Sequence, residues 1–355
     1  MRIWVDLANS PHVAICDPIV RALEARGDEV LITVREHAQT AELALERWPE
    51  ATVVGGESPA GLRAKGGAIL GRAAELARIG RAWRPDVAFS HGSYALVVAA
   101  RRIRVPAVTM MDYEYQPANH LSFRLSRRVI VPEAFPAEAL RRFGARSSRV
   151  RRYAGFKEEL YLAGFRPDRD VLVKLGLDTT RAIAVVRLGP DGALYHRGRN
   201  ARVDDVLDAA LSAEAQVVLL PRTREHRQRY ATAAGVTVPE RAIDGRSLVA
   251  LADVTVGAGG TMTRESALLG TRTYTIFEGR PPAVDRELMR QGRLHDLTGE
   301  APLPSFRRRL EPHADIATAR RDEILDVVVG ALDDAAASRA RARFSDISES
   351  STARE

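Results

Sequence analysis

One cysteine, Cys16, stands in a chain of 355 residues. An internal disulfide and a multi-cysteine metal site are therefore excluded, and the thiol reads as small apolar filler in a reducing compartment. Long hydrophobic runs are missing as well, since no apolar stretch approaches the roughly 20 residues that span a bilayer. The opening Met1-Arg-Ile-Trp-Val-Asp6 enters a strand-like run and meets an acid at once, without the apolar centre of a signal peptide. A cytoplasmic protein is expected. Lysine is scarce, at three positions (Lys65, Lys157 and Lys174) among 53 basic residues, and arginine supplies the rest. The net charge of +7 raises the question of a polyanion. The arginines are scattered among 46 acids, however, and the clusters Arg307-Arg-Arg309 and Arg339-Ala-Arg-Ala-Arg343 lack interleaved aromatics for base stacking. Solvated helix faces account for them better, so no nucleic-acid partner is expected. No short-period repeat is evident.

What is present fits an α/β protein of more than one domain. The length exceeds what one core usually serves, and 45% hydrophobic with 28% charged residues is ordinary globular composition. Strand-like runs at Arg2 to Val5, Glu29 to Val34, Thr52 to Gly55, Val87 to Ser90, Ala107 to Met111 and Arg128 to Val131 alternate with helical stretches such as Leu62 to Trp83. That alternation predicts a doubly wound parallel sheet. The rhythm breaks near Tyr153 to Leu162, and Phe165-Arg-Pro-Asp-Arg-Asp170 starts a new unit with a helix-like Val171 to Leu175. Strands then recur at Ala182 to Arg187, Gln216 to Leu220, Val236 to Val238, Asp253 to Gly257 and Thr273 to Phe277. The expected organisation is a Rossmann-like domain over 1–154, a linker over 155–169, a second Rossmann-like domain over 170–312, a C-terminal helix over 313–344 and a disordered tail over 345–355. Two such domains are expected to face a cleft. The alanine-rich helices are compatible with a homodimer, but none is singled out.

The most informative stretch runs from Ala252 to Gly270 and reads as a strand, a bare glycine turn and a helix. Gly259 and Gly260 carry no Cβ to obstruct a ligand, and Thr261 opens a helix whose first N–H groups would face an anion. One helical turn on, Glu265 is placed to accept hydrogen bonds from ribose hydroxyls. A plain strand-to-helix turn remains the alternative.

Other candidates lie just past strand ends, where open α/β sheets bind ligands. After the first strand, Asp6-Leu-Ala-Asn-Ser-Pro-His12 carries Ser10 and His12 to the start of a helix. His12 reads either as a general base or as a loop-positioning group, and Pro18 either kinks that helix or marks its true first turn. Ser90, His91 and Ser93 end the fourth strand, as contacts for a sugar or acceptor or as plain helix caps. Asp112 and Glu114 follow the fifth, as base and orienter on one face of an extended segment or as surface acids. Arg187 and Arg222 close two strands of the second half and suit a leaving diphosphate, although chance placement competes in an arginine-rich chain. Glu278 is a further candidate for the base or sugar. Asp168 and Asp170 could be read as a metal-binding pair, but capping explains them better, and no metal is expected.

The segments Trp4 to His12, Arg84 to Ser93, Asp112-Tyr-Glu114 with Pro117-Ala-Asn119, Gly155 to Leu162 and Gly259-Gly-Thr-Met262 together resemble the domain of unknown function 354 family. That family is similar to the GT-B superfamily, which includes nucleotide-sugar glycosyltransferases and non-hydrolysing UDP-N-acetylglucosamine 2-epimerases. The resemblance implies that Gly259, Gly260, Thr261 and Glu265 hold a nucleotide diphosphate and its ribose. The epimerases usually have Gly-Asp-Thr where this chain has His91-Gly92-Ser93, and Glu-Ala-Gly where it has Asp112-Tyr113-Glu114. The missing acid favours sugar transfer, which can need only one base and an electrostatic clamp. The expected activity is therefore metal-independent transfer from a nucleoside diphosphate sugar to an acceptor, without a cofactor. Epimerisation or hydrolysis of the same donor, or its non-catalytic binding, are the alternatives.

Overall fold

The computed structural model describes residues 1–37, 39–56, 62–189, 201–309 and 316–352. The chain divides into two units, Met1–Tyr161 with Ala319–Glu355, and Leu162–Thr318. The division falls within the 155–169 segment read as a linker, and the C-terminal helix returns to the first unit. Among the described residues no helix is long and apolar enough to cross a membrane.

The first unit contains β1 (Arg2–Leu7), β2 (Glu29–Val34), β3 (Thr52–Val53), β4 (Val87–His91), β5 (Ala107–Met110), β6 (Arg128–Pro132) and β7 (Val150–Tyr153). They form a sheet of order β3-β2-β1-β4-β5-β6-β7, parallel throughout. All carboxyl ends therefore share one edge, and the strand order reverses between β1 and β4. Successive side chains of β1 serve opposite faces, as the two-residue period of a strand requires. Ile3, Val5 and Leu7 pack with Ile15, Ile19 and Leu23 of the Pro11–Ala25 helix. Trp4 packs on the other side with Leu76 and Ala77 of the Leu62–Trp83 helix and with Leu96 and Ala100 of the Tyr94–Arg102 helix. Gly80 lets the Leu62–Trp83 helix approach so closely, because a Cβ there would lie 2.7 Å from the Trp4 ring. Pro18 lies inside the Pro11–Ala25 helix, whose first residue is Pro11.

The C-terminal helix spans Thr318–Thr352. It buries Ile324, Val328, Ala331, Leu332 and Ala335 in the same core as Ile3 and Val5, at the spacing of one helical face. The helix extends to Thr352, into the 345–355 segment read as a tail. No glycine or proline interrupts the chain after Gly330, and alanine and arginine favour helix. Residues 353–355, like 313–315 of the expected helix, lie outside the described residues.

The second unit contains β8 (Ile183–Arg187), β9 (Gln216–Leu220), β10 (Val236–Thr237), β11 (Val254–Gly257), β12 (Arg272–Thr275) and β13 (Leu294–Asp296). Their order is β10-β9-β8-β11-β12-β13, again all parallel. Ala184 and Val186 pack with Val206 and Ala210 of the Ala201–Ser212 helix. Ile183 and Val185 face Leu248 and Val249 of the Gly245–Leu251 helix. The strand order reverses between β8 and β11. Both units are thus doubly wound, and each reversal opens the kind of crevice in which such sheets bind ligands.

Candidate functional site

In the first unit a fully buried acid sits where the strand order reverses. Asp6 lies on the Trp4 face of β1, and both its oxygens receive hydrogen bonds of 2.8 Å from the Arg72 guanidinium. Thr33 Oγ1 donates to it at 2.6 Å and Ser93 Oγ at 2.5 Å. Arg72 also donates from Nε to the Val54 carbonyl at 2.8 Å. This paired, saturated network ties β1, β2 and two helices together beneath the carboxyl edge. Removing one charged partner would strand the other in the interior, at a cost of about 3–5 kcal/mol.

Beside it runs a chain of titratable groups. His12, near the start of its helix, turns back so that Nδ1 accepts the Ala8 N–H at 3.2 Å. Its Nε2 lies 3.4 Å from His91 Nδ1, and the rings meet edge-on with centroids 5.0 Å apart. His91 Nε2 is 3.5 Å from Asp112 Oδ1. Lys157 Nζ donates to the other Asp112 oxygen and, at 2.8 Å, to Glu158 Oε1. All five residues are buried. Burial, the neighbouring His91 and the Lys157 ammonium hold His12 well below the ordinary histidine value, against a smaller upward pull from Asp112. His91 ends β4, and His12 and Asp112 follow β1 and β5; the three strands are adjacent in the sheet.

The other candidates of this unit are placed differently. Ser10 Oγ lies 3.2 Å from Thr40 Oγ1. Ser90 Oγ accepts the Ser93 N–H at 3.3 Å, and Ser93 caps its helix by accepting the Leu96 N–H at 3.3 Å while donating to Asp6. Glu114 is buried, and its backbone carbonyl accepts from Arg142 at 3.0 Å. Asn119 supports this loop by donating to the Tyr113 carbonyl at 2.9 Å.

Sequence reasoning assigned no role to Asp6, Arg72, Lys157 or Glu158. A signal for Lys157 existed: a lysine kept in a chain that otherwise uses arginine marks a place where a compact ammonium is needed. Lys174, by contrast, is exposed. Gly155 aims the lysine segment. Its φ is +81°, and a Cβ there would collide with the Glu159 carboxylate that accepts the Phe156 N–H at 2.7 Å.

In the second unit, β11 ends at Gly257 and the chain turns through Gly259 (φ +79°) and Gly260 (φ +92°) into the Thr261–Leu268 helix. The residue at the helix start, Gly260, offers no side-chain cap, and among the described residues a Cβ at 260 would meet nothing within 4 Å. Among the described residues the space over Gly260 is therefore open, while Gly259 faces the Phe277 side chain. Helix packing is fixed behind it by the buried pair Arg264 Nε to Asp285 Oδ1, 2.6 Å apart. Glu265 is buried and its carboxylate stands 3.5 Å from Arg246 Nε.

Arg187, the last residue of β8, is the register partner of Gly257 on one side and of Leu220 on the other. Its guanidinium donates to the carbonyls of Leu220 (3.2 Å) and Pro221 (2.8 Å). Burial and the like charge of Arg222 push Arg187 down to about 10. Arg222 reaches solvent, yet partial desolvation lowers it too. Among the described residues no carboxylate is paired with either guanidinium. Two cations crowded at the reversal of the sheet, next to a helix start, make an electropositive recess suited to an anion. Glu278, past β12, is exposed. Asp168 Oδ1 accepts the Asp170 N–H at 2.9 Å, a turn-capping role.

Comparison with known proteins places this architecture. The UDP-GlcNAc 2-epimerase of Methanocaldococcus jannaschii superposes with a TM-score of 0.67 at 13% identity, covering 93% of this chain and 99% of that one. The UDP-N-acetylglucosamine 2-epimerase of Rickettsia bellii gives 0.65 at 14%, covering 94% and 97%. The spinosyn forosaminyltransferase SpnP gives 0.53 at 16%, covering 96% and 94%. At such identities the likeness is one of fold, and that fold is GT-B-like. In sequence, the Methanocaldococcus jannaschii protein called Uncharacterized protein MJ0665 is 28% identical over 304 residues, 83% of this chain and 87% of the relative. Residues 1–301 match the family described as Protein of unknown function (DUF354), and the chain belongs to that family.

Proposed function

We propose that the protein acts on a nucleoside diphosphate sugar and transfers the sugar to an acceptor without a metal ion or cofactor, in a cytoplasmic setting. The observation that carries this reading is the pair Arg187 and Arg222, with no carboxylate partner among the described residues, beside the Gly259-Gly260 turn. An anionic diphosphate would relieve the repulsion between the guanidiniums and accept from the first amides of the Thr261–Leu268 helix, while Glu265 receives ribose hydroxyls. In the transfer, the acceptor oxygen forms a bond to the anomeric carbon as the bond to the diphosphate breaks. The acceptor proton passes to a base, and the arginines and helix start hold the charge that develops on the leaving group. Of His12, Asp112 and Glu114, Asp112 is best suited as base: both nitrogens of His12 are already engaged, whereas an ionised carboxylate retains lone pairs beyond those facing Lys157 and His91.

A second reading, epimerisation or hydrolysis of the same donor, is favoured by the number of acid–base groups gathered around Asp112. Product formed without any acceptor, with solvent hydrogen entering the sugar in the case of epimerisation, distinguishes it.

The first test is thermal unfolding with UDP, GDP, dTDP, ADP and CMP and their sugar conjugates, since a ligand of the native state raises stability by mass action. One nucleotide class should raise the midpoint. Arg222→Ala and Glu265→Ala should each weaken that ligand by about 10- to 100-fold, as expected for loss of charge-assisted hydrogen bonds. No shift with any nucleotide would remove the donor site from consideration.

A further inference from the structure

Two buried histidines in contact can share their protons in several ways, but their surroundings leave one. The Ala8 N–H points at His12 Nδ1, so that nitrogen must be bare and the proton of neutral His12 sits on Nε2. Nε2 faces His91 Nδ1, which must then be the acceptor, because two N–H groups cannot face each other. The His91 proton is left on Nε2, which lies 3.5 Å from Asp112 Oδ1 without a formed hydrogen bond. Asp112 receives from the far side as well, through Lys157, whose ammonium is shared with Glu158. The donor order therefore runs one way, from a backbone amide that cannot give up its proton through His12 to His91, whose Nε2 is left beside a carboxylate held by a buried cation.

We propose that Lys157 is a positioning residue of the acid–base site: its ammonium keeps Asp112 ionised and turned toward His91, and so fixes both histidines as neutral rings with the proton on Nε2. This rests on reading the first unit as the acid–base half of a nucleotide-sugar enzyme. Under that reading Asp112 is the member of the chain that exchanges protons with substrate. An extra proton on His12 would set its Nδ1–H against the Ala8 N–H, and one on His91 would set its Nδ1–H against the His12 Nε2–H. Lys157 thereby decides where a proton can go without touching the reacting atoms. The groups facing His12 are the ones already named, with His91 and Lys157 opposing its protonation and Asp112 favouring it.

The test is NMR of the full chain with nitrogen-15 histidine, assigned through His12→Asn and His91→Asn. In the wild-type protein both rings should be the Nε2–H tautomer at neutral pH. In Lys157→Met the titration midpoint of His12 should rise by about one pH unit, as expected for loss of a nearby like charge, and Lys157→Arg should restore it. A proton on Nδ1 of either ring in the wild-type protein overturns the proposal, as does an unchanged His12 titration in folded Lys157→Met. If that variant does not fold, the wild-type tautomers decide alone. None of these measurements uses a nucleotide, so failure of the donor-site reading in the thermal panel remains a separate result.

Discussion

His12 links the chemistry of the site to the stability of the fold. In the folded chain it stays neutral to well below its ordinary value of 6.5, chiefly because it is buried. Once unfolded it takes a proton near that value. Between the two, the unfolded state binds more protons, so stability rises with pH there and is fully retained above about 6.5. As the pH falls below that point the protein should lose up to about 1.4 kcal/mol per pH unit from this one group. Urea midpoints between pH 5 and 7 measure it. His12→Asn, which keeps an acceptor for Ala8, should flatten the slope; equal slopes in both proteins would mean that His12 does not govern it. At this scale the sequence was only partly legible. It marked His12, His91 and Asp112 as polar residues past strand ends, but not their assembly. Asp6 reads in the sequence as lying just past the first strand and suggests no role there, whereas it is a buried residue of β1. Only the fold brings Arg72, sixty-six positions on, against it.

At the scale of the element, the glycine turn after β11 separates what each glycine does. Gly260 has a positive φ with an extended ψ, a region kept almost to glycine, so Gly260→Ala should cost about 1–3 kcal/mol of backbone strain and place a methyl group where an anion would approach. Gly257 has an ordinary φ, but a Cβ there would fall on the Thr263 hydroxyl. Gly257→Ala should therefore destabilise through packing while leaving the turn's conformation intact. Denaturation and nucleotide titration of the two variants check this, and equal loss of ligand in both would count against the division. Elements with strong patterns were readable: Glu29–Val34, Gln216–Leu220 and the Leu62–Trp83 helix have the bounds that their hydrophobic periods suggest. β7 was missed because Val-Arg-Arg-Tyr offers few apolar residues at an edge of the sheet. β13, with only Leu294 buried among its three residues, is another short edge strand.

On the scale of the whole molecule, the positive charge is less evenly spread than the sequence suggested. Residues 101–152 hold twelve arginines against four acids. Many are occupied structurally: Arg149 donates to the Arg124 carbonyl, Arg152 to those of Pro132, Glu133 and Phe135, and Arg128 and Arg151 to Asp334. Asp334 belongs to the C-terminal helix, which fills the core of the first unit. Deleting residues 318–355 should remove Ile324, Val328 and Leu332 from the core they share with Ile3 and Val5, each worth about 1.5–3 kcal/mol of burial, a loss comparable with the whole stability of a typical domain. All three tryptophans (Trp4, Trp48 and Trp83) lie in that unit. Their emission should shift at lower denaturant in the truncated protein, and an unchanged midpoint would show the helix to be dispensable. The same threading sets an order of assembly at the ribosome. The second unit is continuous in sequence and can close as soon as residue 318 emerges. The first unit begins earlier but must wait for Ala335, roughly ten to thirty seconds of synthesis after Tyr161. During that time one face of its sheet stays bare in the nascent chain, the interval in which a chaperone would have most to hold.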